Sequence, residues 1–172
     1  MTKGSIVSKI GKIATIDCSE IKKTCSKIIE ARDDIKRMTT VSYPTRKVQL
    51  YRIGFKHDIE TFEVMETIYS CKLKPAGIYE LLYIYSGIGD LSKFNMPTGS
   101  GDNVCVALGS RIEKDSQLYV PVLDSFSSYF NVKGDSYGLG LRSTRRKWSS
   151  PVGWTDFYAE DATFLAIKVI KN

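Results

Sequence analysis

His57 is the single histidine of the chain, so any imidazole acid–base or nucleophilic chemistry has to run through it. It stands beside Asp58 at the start of a helical pattern, where a surface histidine is ordinary. No serine lies in a G-x-S-x-G turn, and no cysteine has the flanks of a known nucleophile. Cys18, Cys25, Cys71 and Cys105 are far apart and form no C-x-x-C pair. Zinc requires closely spaced ligand pairs, so no metal site is expected. These cysteines read as free thiols that act as small buried hydrophobes. TGSGDN (98–103) and YGLGLR (137–142) carry paired glycines. Neither leads into the Lys-Ser/Thr of a phosphate loop or the third glycine of a dinucleotide loop, and both read as turns between strands. There is no D-x-D-x-D-G calcium loop. The expectation is a protein with no catalytic residues, no metal and no cofactor.

Positive charge is the remaining candidate for chemistry. The 172 residues have a net charge of +6. Residues 1–56 hold 13 Lys/Arg against 5 Asp/Glu, a net of +8, and residues 57–172 hold 12 against 14, a net of −2. Such asymmetry points to a polyanionic partner, whether nucleic acid, an acidic membrane face or an acidic protein, although excess lysine also serves solubility. The candidate polyanion-binding residues are Lys9, Lys12, Lys22, Lys23, Lys36, Arg37, Arg46 and Lys47. A second basic run, RSTRRKW, adds Arg145, Arg146 and Lys147, with Arg142 and Trp148 at its ends. Guanidinium groups fit phosphate, and an adjacent indole can stack on a base or enter a membrane interface. The same run also fits a solvated loop.

The elements that would position these residues are partly legible. Residues 1–14 place Ile6, Val7, Ile10 and Ile13 among Lys3, Lys9 and Lys12. A flexible basic arm fits this better than a short edge strand. Residues 17–38 predict an amphipathic helix with a Cys18–Ile21–Cys25–Ile28–Arg32–Ile35 stripe, capped by Asp17 or Thr15. Arg32 on the stripe rules out a clean coiled-coil seam. RKVQLYRIGF reads as a strand. A helix capped by Asp58 and running to about Tyr69 follows, burying Ile59, Phe62, Met65 and Ile68/Tyr69 and exposing Glu60, Glu63 and Glu66. GIYELLYIYSGIG fits either a buried strand or a buried helix. Its YELL matches a Y-x-x-L trafficking pattern but reads as core. Residues 87–103 form a long loop, and VCVALGSRI, QLYVPVL, SYFNVKG and FLAIKVI are further strands. The longest apolar stretch, 77–89, is interrupted by Glu80 and Ser86 and falls short of the roughly 20 residues a membrane helix needs. Membrane contact would be peripheral, without an N-myristoyl or prenyl anchor.

The fold class expected is α+β: a single domain with a mainly antiparallel sheet and two or three helices, preceded by a basic N-terminal arm and helix. Residues 1–40 form the arm and helix and residues 41–172 the core domain.

The order of elements in residues 40–95 resembles the folded core of rhabdovirus matrix proteins, above all the short ones of plant-infecting, cytorhabdovirus-like members. In that family a β-rich segment comparable to RKVQLYRIGFK precedes an amphipathic helix comparable to HDIETFEVMETIYSC. A proline/glycine link and an aromatic apolar run comparable to GIYELLYIYSGIGDLSK follow. The P-P-x-Y motif of animal-infecting members does not occur. The resemblance implies a non-enzymatic viral structural protein of the virion and host cytoplasm. Such a protein self-associates as a homo-oligomer and bridges the viral nucleocapsid or RNA to an anionic membrane surface. The alternative from the same residues is a small basic RNA-binding accessory or movement protein.

Overall fold

In KVQLYRIGF, Val48 and Leu50 occupy one face of a strand and Ile53 and Phe55 the other, and all four are buried. A strand apolar on both faces needs cover on both. The computed structural model describes residues 7–39, 47–55, 58–86, 103–126, 136–144, 148 and 161–170. Its strands are β1 (Val7–Asp17), β2 (Lys47–Phe55), β3 (Lys74–Pro75), β4 (Asn103–Val106), β5 (Ile112–Lys114), β6 (Gln117–Phe126), β7 (Ser136–Ser143) and β8 (Asp161–Val169). The helices are α1 (Cys18–Thr24), α2 (Ser26–Ala31), α3 (Asp33–Thr39), α4 (Thr61–Ser70) and α5 (Ile78–Tyr85). All eight strands form one sheet, with β1, β2, β8, β4 and β6 side by side in that order. β4 and β8 run parallel and every other pair is antiparallel. Val122 of β6 pairs with Val106 on one side and Gly140 on the other, which leaves β1 and β7 at the sheet's ends. The fold is α+β with a mainly antiparallel sheet, as expected.

Two cores lie on the two faces. One joins Val48, Leu50, Cys105, Leu123, Leu165 and Ile167 to Cys18, Ile21, Cys25, Ile35 and Met38 and to most of α5. The other joins Ile53, Phe55, Val104, Val122 and Phe164 to Val64 and Ile68 of α4. Residues on both sides of position 40 therefore build the first core together.

Several local readings change. The segment expected to be a flexible arm is an edge strand from Val7 onward, because β2 offers it a full ladder from Val7↔Phe55 to Asp17↔Lys47. The predicted helix over 17–38 divides into α1, α2 and α3. Asp17 caps the first, accepting a hydrogen bond from the Ser19 N–H at 3.1 Å. The chain breaks at Arg32, whose extended backbone (φ −133°, ψ 112°) ends α2. Its guanidinium bridges the Asp34 carboxylate and the Leu139 carbonyl of β7, so the stripe's one charged member ties the helical layer to the sheet. α4 starts at Thr61 with Glu60 as its cap, not Asp58. Its buried residues are Val64 and Ile68, whereas Phe62 and Tyr69, expected inside, are 58% and 56% exposed. Two overlapping stripes fit this sequence, and the sheet accepts the Val64–Ile68 one.

Ile78–Tyr85 is a helix, with YELL fully buried. VCVALGSRI splits into β4 and β5, and YGLGLR, expected to be a turn, lies inside β7. The ladder between β4 and β6 stops at Pro121, whose carbonyl accepts the Ala107 N–H at 3.1 Å but which has no N–H to return. SYFNVKG and residues 87–102 lie outside the described residues.

Trp148 is not a surface indole. It is 1% exposed, exchanges backbone hydrogen bonds with Ile59, and donates its Nε1–H to Thr61 Oγ1 at 3.0 Å. Its ring meets Phe164 edge-on at 5.6 Å, and Phe164 meets Phe55 at 5.7 Å. Trp148→Ala removes one end of this triad and leaves the Thr61 hydroxyl without its indole donor. The expected loss is about 3–5 kcal/mol of unfolding free energy, measured by urea titration. A loss below about 1 kcal/mol would show that the indole is replaceable packing.

Candidate polyanion-binding surface

The expected basic residues are distributed over an end strand and a helical layer. Lys9 and Lys12 belong to β1, and Lys12 is exposed. Lys22 and Lys23 belong to α1, and Lys23 is exposed. Lys36 and Arg37 are exposed in the last turn of α3, where cations complement the carbonyl end of a helix. The inward residues of these elements, Ile16, Ile21, Cys25, Ile35 and Met38, are buried in the first core. The exposed Lys12, Lys23, Lys36 and Arg37 thus lie on the sides of these short elements that the core does not use. Arg46, Arg145, Arg146 and Lys147 lie outside the described residues.

This layer is mixed in sign. Residues 18–39 hold six Lys/Arg and four Asp/Glu, and Arg32 is paired with Asp34. Burial pushes the Asp34 carboxyl up, but hydrogen bonds from Arg32 and the Ile35 N–H outweigh it and hold it below the usual carboxylate value. Lys47 also differs from the expectation. It lies opposite Asp17 in the β1–β2 ladder and lines an open cleft of about 360 Å³ with Thr15, Asp17, Glu20, Ile21 and Tyr83. The Ser19 hydroxyl and N–H lower the Asp17 pKa, with Lys47 a smaller contributor. One ammonium among two carboxylates does not attract phosphate, so Lys47 is a poor member of an anion-binding set. What remains is a set of lysine ammonium groups together with the Arg37 guanidinium. Such a set holds a polyanion by displacing its counterions, not by coordinating one phosphate in a pocket.

Glu80 is the one buried charged residue among the described ones. Its carboxylate accepts the Gly77 N–H at 2.8 Å, and the Cys18 thiol lies 3.7 Å from the other oxygen. Charge type alone gave no hint of this role. The spacing of Gly77 and Glu80, three residues apart before an apolar run, is the pattern of a helix start. Among the described residues no group of three or more His, Cys, Asp or Glu could hold a metal ion. No described helix is long and apolar enough to cross a membrane.

Comparison of the chain with protein families, with characterised proteins and with solved structures finds no match. The residues alone therefore carry the functional argument.

The four cysteines are free thiols; Cys18, Cys25 and Cys105 are buried and Cys71 is partly exposed. Burial pushes Cys105 from the usual 9.0 up to about 12, with Arg52 opposing, and burial also raises Cys25. In the unfolded chain the Cys105 thiol ionises near its usual value, so it binds more protons folded than unfolded above that pH. Its contribution to stability is intact below about pH 9 and is lost progressively toward pH 12, by up to about 1.4 kcal/mol per unit. Iodoacetamide at pH 8 should label Cys71 first and Cys105 only after denaturation. Mass mapping that finds Cys105 among the first sites labelled would contradict this burial.

Proposed function

We propose that the chain is a non-catalytic, matrix-like assembly protein. It attaches to the viral nucleocapsid and to an acidic membrane face through Lys9, Lys12, Lys22, Lys23, Lys36 and Arg37. The placement that supports this reading is the division within β1, α1 and α3 between the exposed Lys12, Lys23, Lys36 and Arg37 and the buried apolar residues. Each of these four can meet a partner without disturbing the core. Near an anionic leaflet each basic residue adds about 1 kcal/mol of attraction, so six act strongly together while each alone is weak. The resemblance of residues 40–95 to the core of rhabdovirus matrix proteins motivates the same reading. On it the protein belongs to the virion and, peripherally, to membranes facing the host cytoplasm.

Replacing all six residues together by Glu should abolish flotation with phosphatidylserine vesicles. The fold should survive, because exposed pairs contribute at most about 1 kcal/mol each and helix-end charges about 0.3–1 kcal/mol. Circular dichroism checks the fold. A folded variant that still floats would refute the assignment. Wild-type protein that binds single-stranded RNA but ignores anionic vesicles would instead support the RNA-binding accessory role.

Affinity for nucleocapsid RNA should fall steeply with salt, since each neutralised phosphate contributes about 0.7 to the slope of log K against log salt for a single strand. A flat profile between 50 and 200 mM salt would mean that apolar burial dominates the contact.

A further inference from the structure

The open cleft of about 360 Å³ where β1, β2, α1 and α5 meet has no part in the proposed polyanion attachment. Its described lining is Thr15 and Asp17 of β1, Glu20 and Ile21 of α1, Lys47 of β2 and Tyr83 of α5. Small-molecule sites span roughly 300–1,000 Å³, so the cleft suits a ligand at the small end of that range. Its walls are held by contacts outside it. Ile21 and the half-buried Tyr83 pack in the first core, and the β1–β2 ladder sets Asp17 opposite Lys47. Asp17 caps α1 with Oδ1 alone, which accepts both the Ser19 N–H and the Ser19 hydroxyl. Its Oδ2 takes neither bond.

The charges of the cleft have not closed on one another. Among the described residues the one ion pair is Arg32–Asp34, so Lys47 bridges neither Asp17 nor Glu20. Lys23, one turn beyond Glu20 on α1, is exposed but does not line the cleft. The described lining therefore offers two carboxylates, one ammonium and one aromatic ring, a net of −1. A complementary solute carries two cationic groups and one anionic group. A phosphate meets an excess of carboxylate, a diamine has nothing to offer Lys47, and a neutral amino acid leaves one carboxylate unanswered. A free dibasic amino acid answers all three groups.

We propose that this cleft binds free arginine, with the amino-acid head on Asp17 and Lys47 and the guanidinium on Glu20 and Tyr83. Asp17 and Lys47 are partners at the end of the ladder, so opposite charges stand side by side. An α-ammonium and an α-carboxylate are adjacent in the same way. Glu20 lies three residues along the chain from Asp17, on α1, and Tyr83 comes from α5, so both serve the side chain. A guanidinium is planar: it gives a carboxylate two parallel N–H donors and stacks on an aromatic ring, which a lysine ammonium cannot do as a flat group. Tyr83 thus favours arginine over lysine.

The test is an amide NMR titration of the full chain with L-arginine at fixed pH and low salt. The amides of Asp17, Glu20, Ile21 and Lys47 should shift together and saturate at one arginine per chain. Agmatine, which lacks the carboxylate, should bind about 10-fold more weakly, and Lys47→Met should remove that preference. Citrulline, whose side chain is neutral, should also bind about 10-fold more weakly, and Glu20→Gln should remove that one. Both substituted positions are exposed, so circular dichroism should show both variants folded. N-acetylarginine keeps the carboxylate and guanidinium without the α-ammonium, as a peptide C-terminus would, and should bind more weakly than arginine. Shifts that do not saturate, agmatine that binds wild type as well as arginine does, or a folded Lys47→Met variant that keeps the preference would each overturn the proposal. N-acetylarginine binding as tightly as arginine would overturn the assignment to the free amino acid.

Discussion

Phe164 and Leu165 are chain neighbours that lie in different cores, both essentially without solvent exposure. The same is true of Leu165 and Ala166 and, in β4, of Val104 and Cys105. Because successive side chains of a strand point to opposite faces, a central strand with no polar alternation demands a covering layer on each side. The rest of the architecture follows. α1, α3 and α5 close one face, and α4 with Trp148 closes the other. Each large apolar side chain removed from water in this way contributes about 1.5–3 kcal/mol. The helices are short, and isolated helices of such length are marginal in water. Their stability comes from the sheet they cover.

α5 shows how polar contacts orient an element that apolar burial alone would leave unspecified. Six of its eight residues are buried, so its hydrophobicity is too uniform to fix its rotation or its ends. Its start is held by the Glu80 carboxylate on the Gly77 N–H and by Ser110 Oγ, which accepts the Ile78 N–H at 2.9 Å. Its flank is fixed by the Tyr79 hydroxyl, which donates to the Thr39 carbonyl at 3.0 Å. The clamp needs close backbone approach: the Gly109 N–H donates to the Ala76 carbonyl at 2.7 Å, and a Cβ on Gly109 would stand 2.6 Å from the Pro75 carbonyl oxygen. A buried carboxylate is tolerable where it meets backbone donors at a helix N-terminus.

The outer surfaces divide by charge along the same sheet. Exposed Lys12, Lys23, Lys36 and Arg37 lie on β1, α1 and α3, while α4 carries Glu63 and Glu66 and is followed by exposed Lys72 and Lys74. Pairing inside the protein reduces the excess. Arg32 is spent on Asp34 and on β7, and Lys47 lines a cleft together with Asp17 and Glu20. The net of +8 in the first third therefore overstates the field that a partner meets. A lysine acts at a distance only in proportion to the carboxylates it is not already beside.

Sequence periodicity alone determined the α+β class, the span of β2, a cap at Asp17 or Thr15 and the burial of YELL. These depend on neighbours within a few residues, where geometry is set by the local backbone. The tertiary structure decided what local spacing leaves degenerate. Val7–Asp17 became a strand because β2 had an unpaired edge to offer. Ile78–Tyr85 became a helix because the sheet face above Leu50 and Leu165 needed cover and α5 could supply it. Val64 was chosen over Phe62, and Ile68 over Tyr69, because only one of two overlapping stripes can face Phe164. Trp148 left the basic run for the core because Thr61 and Ile59, nearly ninety residues earlier in the chain, satisfied its indole and backbone. Each of these choices rests on a contact between distant segments, and no window of neighbouring residues contains both partners.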